Sequence, residues 1–431
     1  MTSLASTQQP ALGLDLPLRA TLFCGTLFVF WITLDPLKDL SSGSVLEVSE
    51  SSDLFKQVVF LSLFALSLCA LAAIGWRRIL PLAHPAYAAV FGWFLLGCAF
   101  GINPGISFRR LMLSTIVMVI AGIMPLLPRN QRQFESWLGG AALVVVLLCY
   151  LAVLLAPELA IHQSDAARET NLAGSWRGLY GHKSVTGPMM VLFVIIATFL
   201  VTRRRMILGP ALLVLSGVFL LFTGAKQPQA LVLMVFAWSW LAARTRSLPW
   251  LLVLCLVPLA IYLLFTVGSA VFPGIAAFNA AVMSDPTFTG RNVIWDFAIK
   301  NFLERPLFGH GFSGFWNTEY VRFTVQAPAD SWAAEASHSH NSYLDLALTT
   351  GVPGLLLGAL VVVVLPVVDF WRSWRVPENR GLALLFFRIW MFAVFLASLE
   401  TLFFHRDDPI WFALLIAIFG LRYLASYRVR Q

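Results

Sequence analysis

The segment HSHNSYLDLALTTGVPGLLLGAL, from His338 to Leu360, sets two imidazoles, an amide and a carboxylate at the mouth of a long apolar run. Imidazole titrates near neutrality and accepts a hydroxyl proton, which makes His340 a candidate general base. Two plainer readings stand beside that one. A histidine at a membrane interface is also a structural hydrogen-bond donor, and a His-Ser-His run raises the question of a metal. Side chains at i and i+2 face together only on an extended strand. No third ligand with suitable spacing accompanies the pair, so no metal site is expected. Asn341 and Asp345 are placed to orient the ring or to bind a substrate hydroxyl. Gly351, Pro353 and Gly354 interrupt the run that follows, so a helix starting here is expected to be broken or bent. Such a break at membrane depth is tolerated only beside protein or a cavity.

Three basic constellations accompany it. SWRGLYGHKSVTG, Ser175 to Gly187, holds Arg177, His182 and Lys183 among Trp176, Tyr180 and glycines. Glycines let the backbone approach a ligand, and Arg and Lys donate charge-assisted hydrogen bonds to phosphate oxygens. The alternative is an interfacial aromatic belt whose basic neighbours touch lipid headgroups. In FTGAKQPQA, Lys226 sits between two apolar runs with no acidic residue nearby in sequence. It either meets an anion or snorkels to the interface. In TFTGRNVIW, Arg291 opens an expected helix, where its charge opposes the dipole. Either a site needs a cation there, or Arg291 pairs with Asp285 or Asp296.

The elements that must position these groups follow from composition. The chain has 431 residues, 59% hydrophobic and 12% charged, with a mean hydropathy of +0.79. Soluble domains carry about 25% charged residues. The apolar runs are continuous rather than alternating, so helices and not a barrel cross the membrane. An all-α polytopic protein of about twelve transmembrane helices is expected, at 16–34, 54–74, 84–102, 108–127, 137–156, 184–201, 207–223, 228–243, 249–267, 343–368, 383–404 and 409–426. This divides the chain into N-terminal helices over 1–267, a large outer loop over 268–342 and C-terminal helices over 343–431. GRNVIWDFAIKNFLERP places a helix in that loop, with Val293, Ile294, Phe297, Ile299 and Phe302 near one face and Pro306 as its stop.

Arginines at alternate ends of these spans, such as Arg77/Arg78, Arg129/Arg132 and Arg203 to Arg205, set those ends in the cytoplasm, with both termini. A minority then face outward: Arg109, Arg110, Arg177, Arg291, Arg305, Arg322 and Arg406. The five lysines and six of the seven histidines also fall on or near the outer side. The +8 formal charge is therefore spread over loops, and nucleic acid is not an expected partner. The five cysteines lie in apolar runs without metal spacing and read as small hydrophobes. The polar start of the chain shows no cleavable secretory signal.

His340-Asn341, a nine-residue gap and Gly351-Val352-Pro353-Gly354 resemble the signature of the superfamily of O-antigen ligases and Wzy-type polymerases. TGRNVIW and RPLFGHGFSGFW are similar to segments just upstream in that family. WRGLYGHKS resembles a stretch in exopolysaccharide polymerases of the succinoglycan type. Lys226 occupies the place where many members carry Arg after Ser, and Leu355-Leu356 stand where the pattern often has Thr-Gly.

The resemblance implies a metal-independent, inverting glycosyltransferase of the GT-C type in the bacterial inner membrane, with its site facing the periplasm. No cofactor is implied. Its partners would be an undecaprenyl-diphosphate-linked oligosaccharide, an acceptor glycan or lipid A–core, and membrane lipids. Arg291, Arg177, Lys183 and Lys226 would hold the diphosphate and His340 would take the acceptor proton. His338 and Asn341 would line the site, and Trp176, Tyr180, Phe315 and Trp316 would stack on sugars. A polymerase is the leading expectation and a ligase the alternative. A transporter of lipid-linked sugars is a third reading, favoured by charges at mid-membrane. Here Arg388 and Glu400 are the main charges in a late apolar run, and the motif groups sit at its outer edge, which counts against transport.

Overall fold

The computed structural model describes residues 16–37, 54–163, 172–316, 318, 321 and 336–429. Long apolar runs form helices because a backbone in lipid must satisfy its own hydrogen bonds. In chain order these are α1 (Leu16–Ile32), α2 (Leu54–Ile74), α3 (Pro85–Phe100), α4 (Pro104–Ile123), α5 (Gln131–Leu155), the single turn α6 (Pro157–Ala160), α7 (Lys183–Thr202) and α8 (Leu208–Phe222). They continue with α9 (Lys226–Ala242), α10 (Leu248–Phe265), α11 (Pro273–Val282), α12 (Arg291–Glu304), α13 (Ser342–Ala359), α14 (Leu365–Trp374), α15 (Arg380–Leu396) and α16 (Pro409–Ser426). Among the described residues the β content is one isolated bridge, Ile161 to Trp176. The protein is all-α and polytopic.

Each of the twelve expected spans coincides with a helix, yet among the described residues eight helices are long and apolar enough to cross a membrane. A ninth is reached if Trp76–Leu82 and α3, bent by 77°, form one span. Length makes the difference. α8 has 15 residues, and at 1.5 Å per residue it reaches about 22 Å against a hydrocarbon core of about 30 Å. The expected span 383–404 also ends early, because α15 stops at Leu396 and residues 397–408 leave the helix.

Two features set up the site. The first is a break in α13 at Gly351, whose φ is 72°. A Cβ there would collide with the Leu307 carbonyl oxygen. The segment 306–311 fills the break: the Val352 amide donates to the Pro306 carbonyl at 2.8 Å, and the His310 and Gly311 amides donate to Leu348 and Thr349 at 3.0 Å. The break expected from Gly351 and Pro353 is therefore a seat for the upstream glycine-rich segment.

The second feature is a clamp between the 397–403 loop and the start of α13. The Ser342 amide donates to the Ala397 carbonyl at 2.8 Å, and its hydroxyl donates to the Glu400 carbonyl at 2.9 Å. The same hydroxyl accepts from the Leu402 and Phe403 amides at 2.8 and 3.3 Å.

α12 starts and stops where expected, but its buried face is rotated. Ile294, Trp295, Phe297, Ala298 and Asn301 are buried, while Val293 is 38% exposed. The Trp295 indole donates to the Ser339 carbonyl at 3.0 Å, which turns this side of the helix toward α13.

Candidate functional site

His340 sits directly before α13, and its backbone is held in the left-handed region at φ 53°. Non-glycine residues adopt that region at a cost, and His is among those that tolerate it best. The surrounding bonds show what imposes it. Asn341 is the N-cap of α13: its Oδ1 accepts from the Leu344 amide at 2.9 Å, and its Nδ2 donates to the Ser398 carbonyl at 2.8 Å. On the other side the Ser339 amide donates to Asp345. Pinned before and after, the intervening residue turns its ring away from the helix. The ring meets His338 edge to face, with centroids 4.1 Å apart, and the His340 amide donates to His338 Nδ1 at 3.3 Å.

The partner of this histidine is Glu400. His340 Nδ1 lies 3.4 Å from Glu400 Oε2, and Arg291 Nη2 donates to Glu400 Oε1 at 2.7 Å. One carboxylate thus joins the two residues that the sequence singles out most strongly. The Arg291 and Glu400 side chains are 20% and 19% exposed, so the pair is more shielded than an ordinary surface ion pair of 0–1 kcal/mol or so. Burial acts to raise the Glu400 carboxyl, but the Arg291 guanidinium, with the two imidazoles, overrides it and holds the group at about 2. Glu400 is therefore an ionised acceptor near neutrality. An ionised carboxylate only accepts, so in the neutral form of the imidazole the nitrogen facing it carries the hydrogen and Nε2 presents its lone pair.

The two surface partners weighed for Arg291 are engaged elsewhere. Asp285 accepts from Thr287 and Thr289, and Asp296 pairs with Lys300 at 2.6 Å. Burial pushes the His338 imidazole down to about 3, with the neighbouring His340 adding to the effect. His338 is thus a neutral wall residue.

The other basic residues gather around two adjoining segments. The Trp176 amide donates to the Phe222 carbonyl at 3.0 Å, and their rings stack at 4.4 Å. Lys183 Nζ lies 3.4 Å from Ser175 Oγ, and a Cβ on Gly224 would lie 3.8 Å from that same Nζ. Lys183 and the turn leading to Lys226 are therefore neighbours, and Lys226 is exposed at the first position of α9. One residue on, Gln227 approaches Tyr262, which in turn approaches Arg291 and Glu400. The two expected basic segments and the Arg291 site thus share one end of the bundle.

Several expected site residues have structural work instead. Arg177 is 3% exposed, and its guanidinium donates to the Gly181 carbonyl at 3.1 Å. Tyr180 is 1% exposed, and its hydroxyl donates to the Trp31 carbonyl at 2.7 Å, which leaves no face for a sugar. Asn341 is fully buried in its capping role. Phe315 is fully buried, and Trp316 donates to Asp345 at 2.8 Å. Arg322 lies outside the described residues. Arg388 donates to Ser239 at 3.0 Å and lies over the Phe236 ring, a packing role.

Glu400 is only partly legible in the sequence. It stands out as a lone acid in LASLETLFF, but a reading that extends the helix to residue 404 puts it inside a span. Its role depends on the helix ending at Leu396. Among the described residues no group of three or more His, Cys, Asp or Glu side chains is arranged to hold a metal ion.

No curated protein matches the chain. Residues 211–358, which run from α8 through Arg291, His340 and the break in α13, match the family model described as O-antigen ligase. That match falls on the segment carrying the His340 and Gly351 signature and supports the resemblance of this part of the chain to the superfamily of O-antigen ligases and Wzy-type polymerases.

Proposed function

We propose that the protein is a glycosyltransferase that polymerises a polysaccharide at the periplasmic face of the bacterial inner membrane. Glycan leaves an undecaprenyl-diphosphate donor and joins a sugar hydroxyl of a second lipid-linked repeat unit, with inversion at the anomeric carbon. The observation that carries this reading is the joining of Arg291 and His340 through Glu400.

As the anomeric C–O bond breaks, negative charge builds on the leaving diphosphate. A preorganised cation at that point is worth about 3–4 kcal/mol of barrier. Arg291, held by Glu400, supplies it, and Lys183 and Lys226 lie at the same end of the bundle to bind the remaining phosphate oxygens. These cations fill the role of a divalent ion in the proposed mechanism. His340 Nε2 takes the proton of the acceptor hydroxyl as the new C–O bond forms, and Glu400 steadies the imidazolium. Glu400 itself, held at about 2, is too weak a base near neutrality.

The matched family is described by its ligases, so transfer of finished polymer to lipid A–core is the second reading, with the same donor chemistry. The length of glycan left on undecaprenyl diphosphate in a strain lacking the protein separates the two. Single repeat units are expected. Long chains retained on the carrier would instead assign the ligase reaction, and no change in carrier-linked glycan would end both readings.

A further inference from the structure

A chamber of about 210 Å³ opens beside His338, with Arg110, Asp345, Phe404, His405, Arg406 and Asp407 among its walls. An apolar slot of about 250 Å³ adjoins it between α3, α4, the 360–364 turn and α16. Phe404 lines both. α4 gives Arg110 and Ser114 to the chamber and Thr115, Met118 and Val119 to the slot. α16 begins just past the chamber loop and gives Trp411, Leu415 and Phe419 to the slot. Both helices start at the chamber, so successive turns lead away from it. From Arg110 to Val119 the rise is about 13 Å.

A polar chamber that continues into an apolar slot fits an amphiphile with one polar end. The polar groups specify that end further. Asp345 is satisfied within the fold, accepting from Trp316, Ser339 and Thr401. Arg406 lies 3.8 Å from Asp407, and Arg110 donates to the Ser313 carbonyl. Guanidinium groups suit phosphate, and the Asp407 carboxylate suits sugar hydroxyls. At the top of the slot Trp411 is 1% exposed, and its indole N–H has no acceptor among the described residues. A buried donor of this kind calls for a partner. Arg291, Lys183 and Lys226 do not line the chamber, so it is separate from the cations assigned to the donor.

We infer that chamber and slot hold the lipid-linked acceptor: its sugar and diphosphate in the chamber beside His338, and the first units of its polyisoprenyl chain in the slot. This rests on the transferase reading above and adds a second lipid site to it, on the far side of the histidine pair.

The test uses the full-length protein in vesicles of phosphatidylethanolamine and phosphatidylglycerol. The probe is undecaprenyl diphosphate carrying a diazirine along its prenyl chain. Irradiation is expected to label α4 and α16 around Met118 and Leu415. Excess unlabelled undecaprenyl diphosphate competes, and excess phosphatidylglycerol does not. Val119→Trp fills the slot and lowers this labelling about tenfold, the factor for 1.4 kcal/mol of lost binding. Ile79→Trp, at the half-buried rim, gives the same result by a second route should Val119→Trp fail to insert. Labelling confined to α9, α10 and α12 would overturn the inference, as would equal competition by phosphatidylglycerol, which would mark an ordinary structural lipid. Labelling does not require turnover, so the two ideas fail separately. Normal polymer with an unlabelled slot sinks the acceptor site alone, whereas a labelled slot without transfer by the unmodified protein sinks the transferase reading.

Discussion

Arg291 and Glu400 lie 109 positions apart in sequence and meet at 2.7 Å. The contact joins the start of α12 to the loop between α15 and α16. It also explains why a cation opens a helix against the dipole: its charge is answered by a carboxylate from another element. A hydrogen bond to a charged group is worth about 1.5–3 kcal/mol, or roughly 10–100-fold in rate if it acts in the transition state. Arg291→Lys keeps the charge and loses the planar fork, so transfer is expected to fall by that range. The double variant Arg291→Ala/Glu400→Ala should lose much less than the sum of the single losses, because the residues act as a unit. Additive losses in a transfer assay would dissolve the unit.

His340→Ala should lower transfer by about 10²–10⁴-fold while expression and membrane insertion hold, since the α13 cap belongs to Asn341. His338→Gln should cost far less. A His340→Ala protein that inserts normally and yields ordinary polymer would remove the base from the mechanism.

Tyr180→Phe separates core from site. Its hydroxyl bonds to the Trp31 carbonyl, so the variant should lose about 1 kcal/mol of stability and keep its KM for donor and acceptor. A raised KM with unchanged melting would restore Tyr180 as a substrate contact.

Acid should weaken the fold in two distinguishable stages. His338 is pushed from 6.5 to about 3, and Glu400 from 4.5 to about 2. Both depressed values mean that the stability each group contributes is complete above its unfolded value and is lost as pH falls. His338 acts from about pH 6.5 downward and Glu400 from about pH 4.5. His338→Gln should therefore flatten the dependence of melting temperature on pH between 6.5 and 4.5, and Glu400→Gln should leave that stretch steep. Equal slopes in the two variants over that range would refute the assignment.

Much of this was legible in the sequence because it is written in local chemistry. Continuous apolar runs dictate helices, Gly351 and Pro353 dictate a break, and His340 stands out as a titratable group beside it. Three things were not local. Whether α8 spans depends on its neighbours as much as on its 15 residues. Tyr180 and Arg177 match a binding motif by type, yet their burial follows from α1, α6 and the turn at Gly181. Glu400 has a visible oddity in its own segment, but its partners come from residues 291 and 340. Only the end of α15 at Leu396 frees it to reach them.

The Ser342 clamp has a further consequence for biosynthesis. His340 and Arg291 leave the ribosome well before residues 397–403, which must then fold back onto the first turn of α13. A nascent chain that has inserted α13 but not yet α15 therefore has its histidine and arginine without the carboxylate between them. On the proposed transferase reading, competence arrives with the closing helices, so a prematurely terminated product would occupy the membrane while leaving carrier-linked glycans untouched.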